Sequence, residues 1–321
     1  MNVKMLATLA ASALFASTLS VLAQDKVSVK LSYIVDHPAI DAARDGVIDT
    51  LKAAGFVEGE NLDLEVQSAQ GNMTTQAQIN QKFVGDSPDL IVAISTPSAQ
   101  TAMSATSDIP IVFAAITDPL AAGLVDSNEK PGRNLTGSSD KTPVDRHLQL
   151  VKRIVPEAKT IGIVYNGGEA NSVALVEELR AEATKLGLEV VEATAIQSSA
   201  VLDAARSLVG KVDAIYVPTD STVVSAFESV ARIGGEADIP VIAADTTVVE
   251  RGAIAALGFS YYDIGVAAGE SAVRILNGEN PADIPVRFID KLELYVNPGA
   301  AEEMGISLPD DLLAEATRVI E

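Results

Sequence analysis

The sequence predicts an α/β chain of two similar lobes, each a doubly wound parallel sheet. Three observations carry that expectation. From Val27 onward, short β-rich runs alternate with longer helical ones. The strand runs are mostly apolar throughout rather than alternating, the pattern of a parallel sheet covered on both faces. The same order of elements then occurs a second time. A chain of 321 residues, 48% of them apolar, has enough material for two cores, at roughly 150 residues to a domain.

In the first half, Val27–Val35 reads as a strand and Ala39–Ala54 as a helix closed by Gly55. Leu62–Ser68 and Leu90–Ser95 are strands with the helix Thr74–Val84 between them. Thr96 is suited to N-cap the next helix and Pro97 to be its first residue. Ile111–Ile116 is the following strand. After a helix over Asp145–Ile154, the second half opens with strand Thr160–Tyr165 and helix Ser172–Leu186, stopped by Gly187. Strand Glu189–Ala193, helix Ser199–Leu208, strand Ala214–Val217, a helix over Val223–Ile233 and strand Val241–Ala244 follow. The correspondence reaches single residues. Asp108-Ile109-Pro110-Ile111 is answered by Asp238-Ile239-Pro240-Val241, and Asp89, before the third strand, by Asp213.

The N-terminus reads as an address. Lys4 precedes the apolar stretch Met5–Ala16, Ser17–Ser20 is more polar, and Val21-Leu22-Ala23 sets short residues at a cleavage point. This is the layout of a secretory signal peptide over residues 1–23, leaving an exported, soluble chain that starts at Gln24. The sequence holds no cysteine, so a lipoprotein anchor, disulfides, thiolate metal clusters and a cysteine nucleophile are excluded. Acids outnumber bases 44 to 23, a net charge of −21. Such a chain has no general attraction to nucleic acid or to an anionic membrane surface.

Doubly wound sheets bind ligands beyond the carboxyl ends of their strands, and two facing lobes would make a cleft there. The residues that follow strands are therefore the candidates. The first half supplies Ser95, Thr96, Thr117 and Asp118. In the second half Tyr165, Asn166, Glu169, Asn171 and Ser172 lead into one helix, Thr219 and Asp220 into another, and Asp245 closes the series. Hydroxyls and backbone N–H groups at helix N-termini suit a carboxylate. Asp220 or Asp245 on the other lobe suits an ammonium group, so the set points to a zwitterion. The alternative is that Ser, Thr and Asp only cap helices. His37 either edges the cleft or sits exposed in a loop, and His147 reads as structural within its helix. No Walker A, Gly-x-Gly-x-x-Gly or Gly-x-Ser-x-Gly pattern occurs, nor any metal-ligand spacing. No catalytic residue, metal or cofactor is assigned, and an enzyme is not expected.

Several stretches carry a family resemblance: Gly55–Leu62, Ile111–Pro119, Pro131–Gly137, Tyr165-Asn166 with Glu169–Ser172, Pro218–Thr222 and Glu250–Ala253. Together they resemble the substrate-binding proteins of ABC transporters with the type I periplasmic-binding-protein fold. The similarity is to the subfamily that includes receptors for tryptophan and tyrosine. The resemblance implies two lobes joined by three crossovers, near Ser138–Lys141, Phe259–Tyr262 and Phe288–Lys291, closing over the ligand by hinge motion. One lobe would be 24–139 plus 260–289, the other 140–259 plus 290–321. It implies that Ser95, Thr96, Ala115 and Thr117 hold an α-carboxylate and that Asp220 or Asp245 holds the α-amino group. Any aromatic wall would come from Tyr33, Phe113, Tyr165 or Tyr216. The function implied is a monomeric periplasmic protein that delivers a small zwitterion, an amino acid, to an inner-membrane ABC permease. A ligand sensor for a membrane receptor and a sugar or nucleoside binder are the alternatives; aromatics of only 4% argue against a sugar site.

Overall fold

The computed structural model describes residues 26–320, so the predicted signal peptide lies outside the described residues. In chain order the first part is β1 (Val27–Tyr33), α1 (Pro38–Ala53), β2 (Leu62–Ser68), α2 (Met73–Gly85), β3 (Leu90–Ile94), α3 (Thr96–Ala105), β4 (Ile111–Ala114) and β5 (Leu135–Ser139). The next part is α4 (Val144–Ile154), β6 (Thr160–Tyr165), α5 (Ala170–Lys185), β7 (Glu189–Thr194), α6 (Val201–Arg206), β8 (Ala214–Val217), α7 (Ser221–Ser225), α8 (Phe227–Glu236), β9 (Val241–Ala243) and β10 (Ala255–Gly258). The chain ends with α9 (Tyr261–Leu276), β11 (Arg287–Phe288), β12 (Glu293–Val296), α10 (Pro298–Glu303), α11 (Asp310–Glu315) and β13 (Arg318–Val319).

Two sheets result, in the orders β11-β5-β4-β3-β1-β2 and β13-β12-β10-β9-β8-β6-β7. The inner runs, β5-β4-β3-β1-β2 and β10-β9-β8-β6-β7, are the same pattern written twice. Asp89 and Asp213 share one task in it. Asp89 accepts the Ser28 N–H at the start of β1, and Asp213 accepts the Thr160 N–H at the start of β6. The pairing is parallel except where β12 runs antiparallel to β10. The sheet orders carry the chain from one sheet to the other after β5, β10 and β11.

The apolar strands explain the layering. Along β3, Leu90, Val92 and Ile94 enter one core and Ile91 and Ala93 another, on opposite faces of the first sheet. Each fully buried Leu, Ile or Val side chain contributes about 1.5–3 kcal/mol. Helices α1 and α9 cover one face in close contact, because a Cβ at Gly265 would stand 2.0 Å from the Ala43 carbonyl oxygen and one at Gly46 2.3 Å from that of Tyr262.

Several boundaries differ from the sequence expectation. The strands expected to reach Ser95 and Ile116 stop at Ile94 and Ala114, because Ser95 (φ 81°) and Ala115 (φ 55°) leave the extended region. Ser95, not Thr96, is the N-cap of α3, and its side chain makes no capping bond; Thr96 is the first helical residue. The helix expected over Val223–Ile233 is two helices broken at Ala226, with Val224 left facing the space between the sheets and Phe227 sent into the core. The helix expected over Ser199–Leu208 opens as a 3-10 turn over Ser198–Ala200 before α6.

Candidate functional site

The carboxyl ends of the two sheets' strands face one another across a narrow cavity. From the first lobe His37, Ile40, Ser95, Ala115 and Thr117 line it. From the second come Asn171, Thr219, Asp220, Ser221, Val224 and Asp245. Asp140, just after β5, and Tyr261, at the start of α9, stand at the crossings. The cavity measures about 20 Å³, room for about one water molecule. Anything larger is admitted only when the lobes part. Among the described residues no lysine or arginine lines it.

A chain of hydroxyls and a carboxylate ties the two lobes together. Tyr261 OH donates to Asp140 Oδ2 at 2.9 Å, and Thr117 Oγ1 donates to Asp140 Oδ1 at 3.0 Å. Thr117's proton is thereby used, so Thr219 Oγ1 donates across the lobes to Thr117 Oγ1 at 3.1 Å. Asp140 is fully enclosed, and burial, with Asp245 nearby, pushes its carboxyl up to about 6 against these hydrogen bonds. Beside this latch Ser95 and Ala115 hold left-handed backbone as non-glycine residues, a strain of order 1–3 kcal/mol each that recurs at binding sites.

Asp220 and Asp245 both N-cap short helical segments, but they differ in spare capacity. Asp220 Oδ1 accepts the Val223 N–H at 2.8 Å, while Oδ2 accepts the Asn166 N–H at 2.7 Å and Ser172 Oγ at 2.6 Å. Its carboxyl is raised by burial first and by the neighbouring Glu169 charge second. Asp245 Oδ1 accepts both the N–H and the hydroxyl of Thr247 at 2.8 Å. Among the described residues its Oδ2 has no donor, and burial raises its carboxyl too.

The cavity thus gathers Ser95, Ala115, Thr117, Asn171, Thr219, Asp220 and Asp245 of the residues expected there. It leaves out the others. Asn166, Glu169 and Ser172 stand behind the wall: Glu169 accepts the N–H groups of Ser221 and Thr222, and Asn166 and Ser172 donate to Asp220. Asp118 is spent on the Leu120 and Ala121 N–H groups and on Lys141, 2.8 Å away. Tyr165 OH donates to Glu192, and Thr96 is buried in the first turn of α3. None of the four aromatics expected to wall the site lines it. Phe113 and Tyr216 point into the cores from mid-strand, Tyr216 against His147, and Tyr33 OH donates to Asp36. Tyr261 takes that place. Sequence reasoning assigned no role to Tyr261, Asp140, Ile40, Val224 and Ser221 and left His37 open. A crossover position was the only signal for the first two. His147 is structural as expected, bonded to Tyr216 OH and to the Leu257 carbonyl.

Comparison with known proteins decides the family. The family model for ABC transporter substrate binding proteins matches residues 28–320. The chain belongs to that family. This substrate-binding protein is 46% identical over 270 residues to the tyrosine-binding protein of Clostridioides difficile, spanning 84% of this chain and 78% of that one. Among solved structures it is similar to an ABC domain in complex with L-Trp from Streptococcus pneumonia (TM-score 0.89, 35% identity, 92% of this chain and 100% of the other). It is also similar to the ligand-free, open structure of a substrate binding protein with adhesive properties from Clostridium difficile (TM-score 0.68, 45% identity, 91% and 99%). The fit is poorer to the ligand-free, open relative although its identity is higher. The Thr219–Thr117 bond belongs to a closed arrangement, in keeping with the better fit to the L-Trp complex. Substrate-binding proteins of ABC transporters work outside the cytoplasm, and no described helix is long and apolar enough to cross a membrane.

Proposed function

We propose that this substrate-binding protein takes an amino acid with an aromatic side chain into the interlobe cavity and hands it to the permease of an ABC importer. One observation carries the reading: hydroxyl and strained backbone positions on one lobe face buried carboxylates on the other, in a cavity without a lining cation among the described residues. Ser95, Ala115 and Thr117 hold the α-carboxylate. Asp245, with its uncommitted oxygen, and the Asn171 Oδ1, buried without a partner, hold the ammonium group. The tyrosine-binding relative and the L-Trp-bound neighbour support an aromatic ligand.

The protein acts as a periplasmic monomer without a lipid anchor or enzymatic activity, released by cleavage after Ala23. Its lobes, 24–139 plus 260–289 and 140–259 plus 290–321, move about the three crossovers, and the strand membership of the two sheets supports that division. The test is a thermal-shift panel of the twenty amino acids, simple sugars and nucleosides on ligand-stripped protein. A ligand at 100 times its dissociation constant stabilises the fold by about 2.7 kcal/mol. Tyrosine or tryptophan should give the largest shift; a shift with sugars or nucleosides alone overturns the reading.

A further inference from the structure

His37 is buried to 8% exposure in the connection between β1 and α1 and lines the cavity. It occupies the N-cap position of α1 yet makes no capping bond, so its ring is free of helix-end work. Its Nδ1 is buried without a partner, and neither ring nitrogen bonds any described residue. A buried ring nitrogen without a partner is costly unless something else completes it. Burial, and then the charge of Arg251 across the cleft, push its pKa down to about 3, against the pull of Asp36. Asp36 itself is engaged by Tyr33, Ser68 and Gln70. The ring therefore stays neutral, with one N–H to donate and one lone pair to accept.

His37 lines the same cavity as Ser95 and Thr117, four residues past the end of β1, and the strand order sets the scale of their separation. Neighbours in the first sheet run β4-β3-β1, so the β1 end lies one to two strand spacings, about 5–10 Å, from the β3 and β4 ends that carry Ser95 and Thr117. That is the reach from an α-carboxylate to the far edge of an aromatic ring. An ammonium or carboxylate finds better partners in the acids and hydroxyls already named; a neutral ring suits an uncharged donor.

We infer that His37 is a specificity-determining residue that accepts a hydrogen bond from the ring substituent of the ligand, a phenolic O–H or an indole N–H. The protein then prefers tyrosine and tryptophan to phenylalanine. This rests on the amino-acid reading above. The experiment is calorimetric titration of ligand-stripped wild type, His37→Leu and His37→Gln with tyrosine and with phenylalanine. Wild type should bind tyrosine about tenfold or more tighter than phenylalanine, as one hydrogen bond in a dry site implies. His37→Leu should bring that ratio close to one by losing tyrosine, and His37→Gln, which keeps an acceptor, should restore part of it. Equal affinities in wild type, or an unchanged ratio in His37→Leu, overturn the inference. If the Leu variant does not fold, the wild-type ratio and the Gln variant decide it. Binding of only non-aromatic amino acids sinks this inference and leaves the zwitterion site standing, whereas binding of no amino acid sinks both.

Discussion

Neutralising Asp245 and neutralising Asp220 should have opposite consequences, although the two acids hold matching places after β9 and β8. In Asp245→Asn the amide oxygen can take the Oδ1 position and keep both Thr247 bonds, while the NH₂ group takes the side where no described residue donates. The fold is spared and the charge facing the ligand is gone. Losing a hydrogen bond to a charged partner costs about 1.5–3 kcal/mol, or roughly 10- to 150-fold in affinity. In Asp220→Asn no orientation works. Donors approach both oxygens, so the amide NH₂ meets either the Val223 N–H or the Asn166 N–H and Ser172 hydroxyl. An unsatisfied buried donor costs about 1–3 kcal/mol; relief of the Glu169 repulsion offsets part, so the net loss falls at the lower end. Calorimetric titration with the amino acid that gives the largest thermal shift, together with urea unfolding of both variants, measures the two effects separately. The reasoning fails if Asp245→Asn binds within about threefold of wild type, less than 0.7 kcal/mol. It fails equally if Asp220→Asn unfolds at the wild-type midpoint.

Three further outcomes are expected. Asp140 has its folded-state pKa raised to about 6 from 3.8, so the folded state binds this proton more tightly than the unfolded one. Its contribution is fully present below the unfolded value and is lost as pH rises through about 6. The stability of wild type relative to Asp140→Asn should therefore grow as pH falls from 7 towards 4, by a quantity of order 3 kcal/mol, read from urea unfolding at each pH; a flat difference contradicts the burial of this carboxyl. Gly265→Ala should destabilise by about 1–3 kcal/mol or more through overpacking, since its Cβ would meet the Ala43 carbonyl at 2.0 Å. Gly85→Ala, with nothing within 4 Å, should leave the thermal midpoint unchanged or slightly raised.

The architecture was legible in the sequence because it rests on local signals. Apolar runs such as Leu90–Ile94 bury both faces, Gly55 and Gly187 stop helices in left-handed backbone, and the repeated Asp89 and Asp213 pin the starts of equivalent strands. A parallel sheet presents its ligand groups at strand ends, so Ser95, Thr117, Asp220 and Asp245 could be named from order alone. What order cannot carry is how a strand-end residue spends its hydrogen-bonding capacity. Asp118 and Thr96 follow strands as Thr117 and Ser95 do, yet one is consumed by Lys141 and its own turn and the other is folded into a helix. The full occupancy of Asp220 comes from Asn166 and Ser172, some fifty residues away in sequence. Asp140 and Tyr261 reach the cavity only because the chain crosses between the sheets at those points. The sequence by itself determined two doubly wound lobes and the strand ends that could face a ligand. Only the tertiary structure decided which side chains have polar atoms to spare, since that depends on partners brought together across the lobes and crossovers.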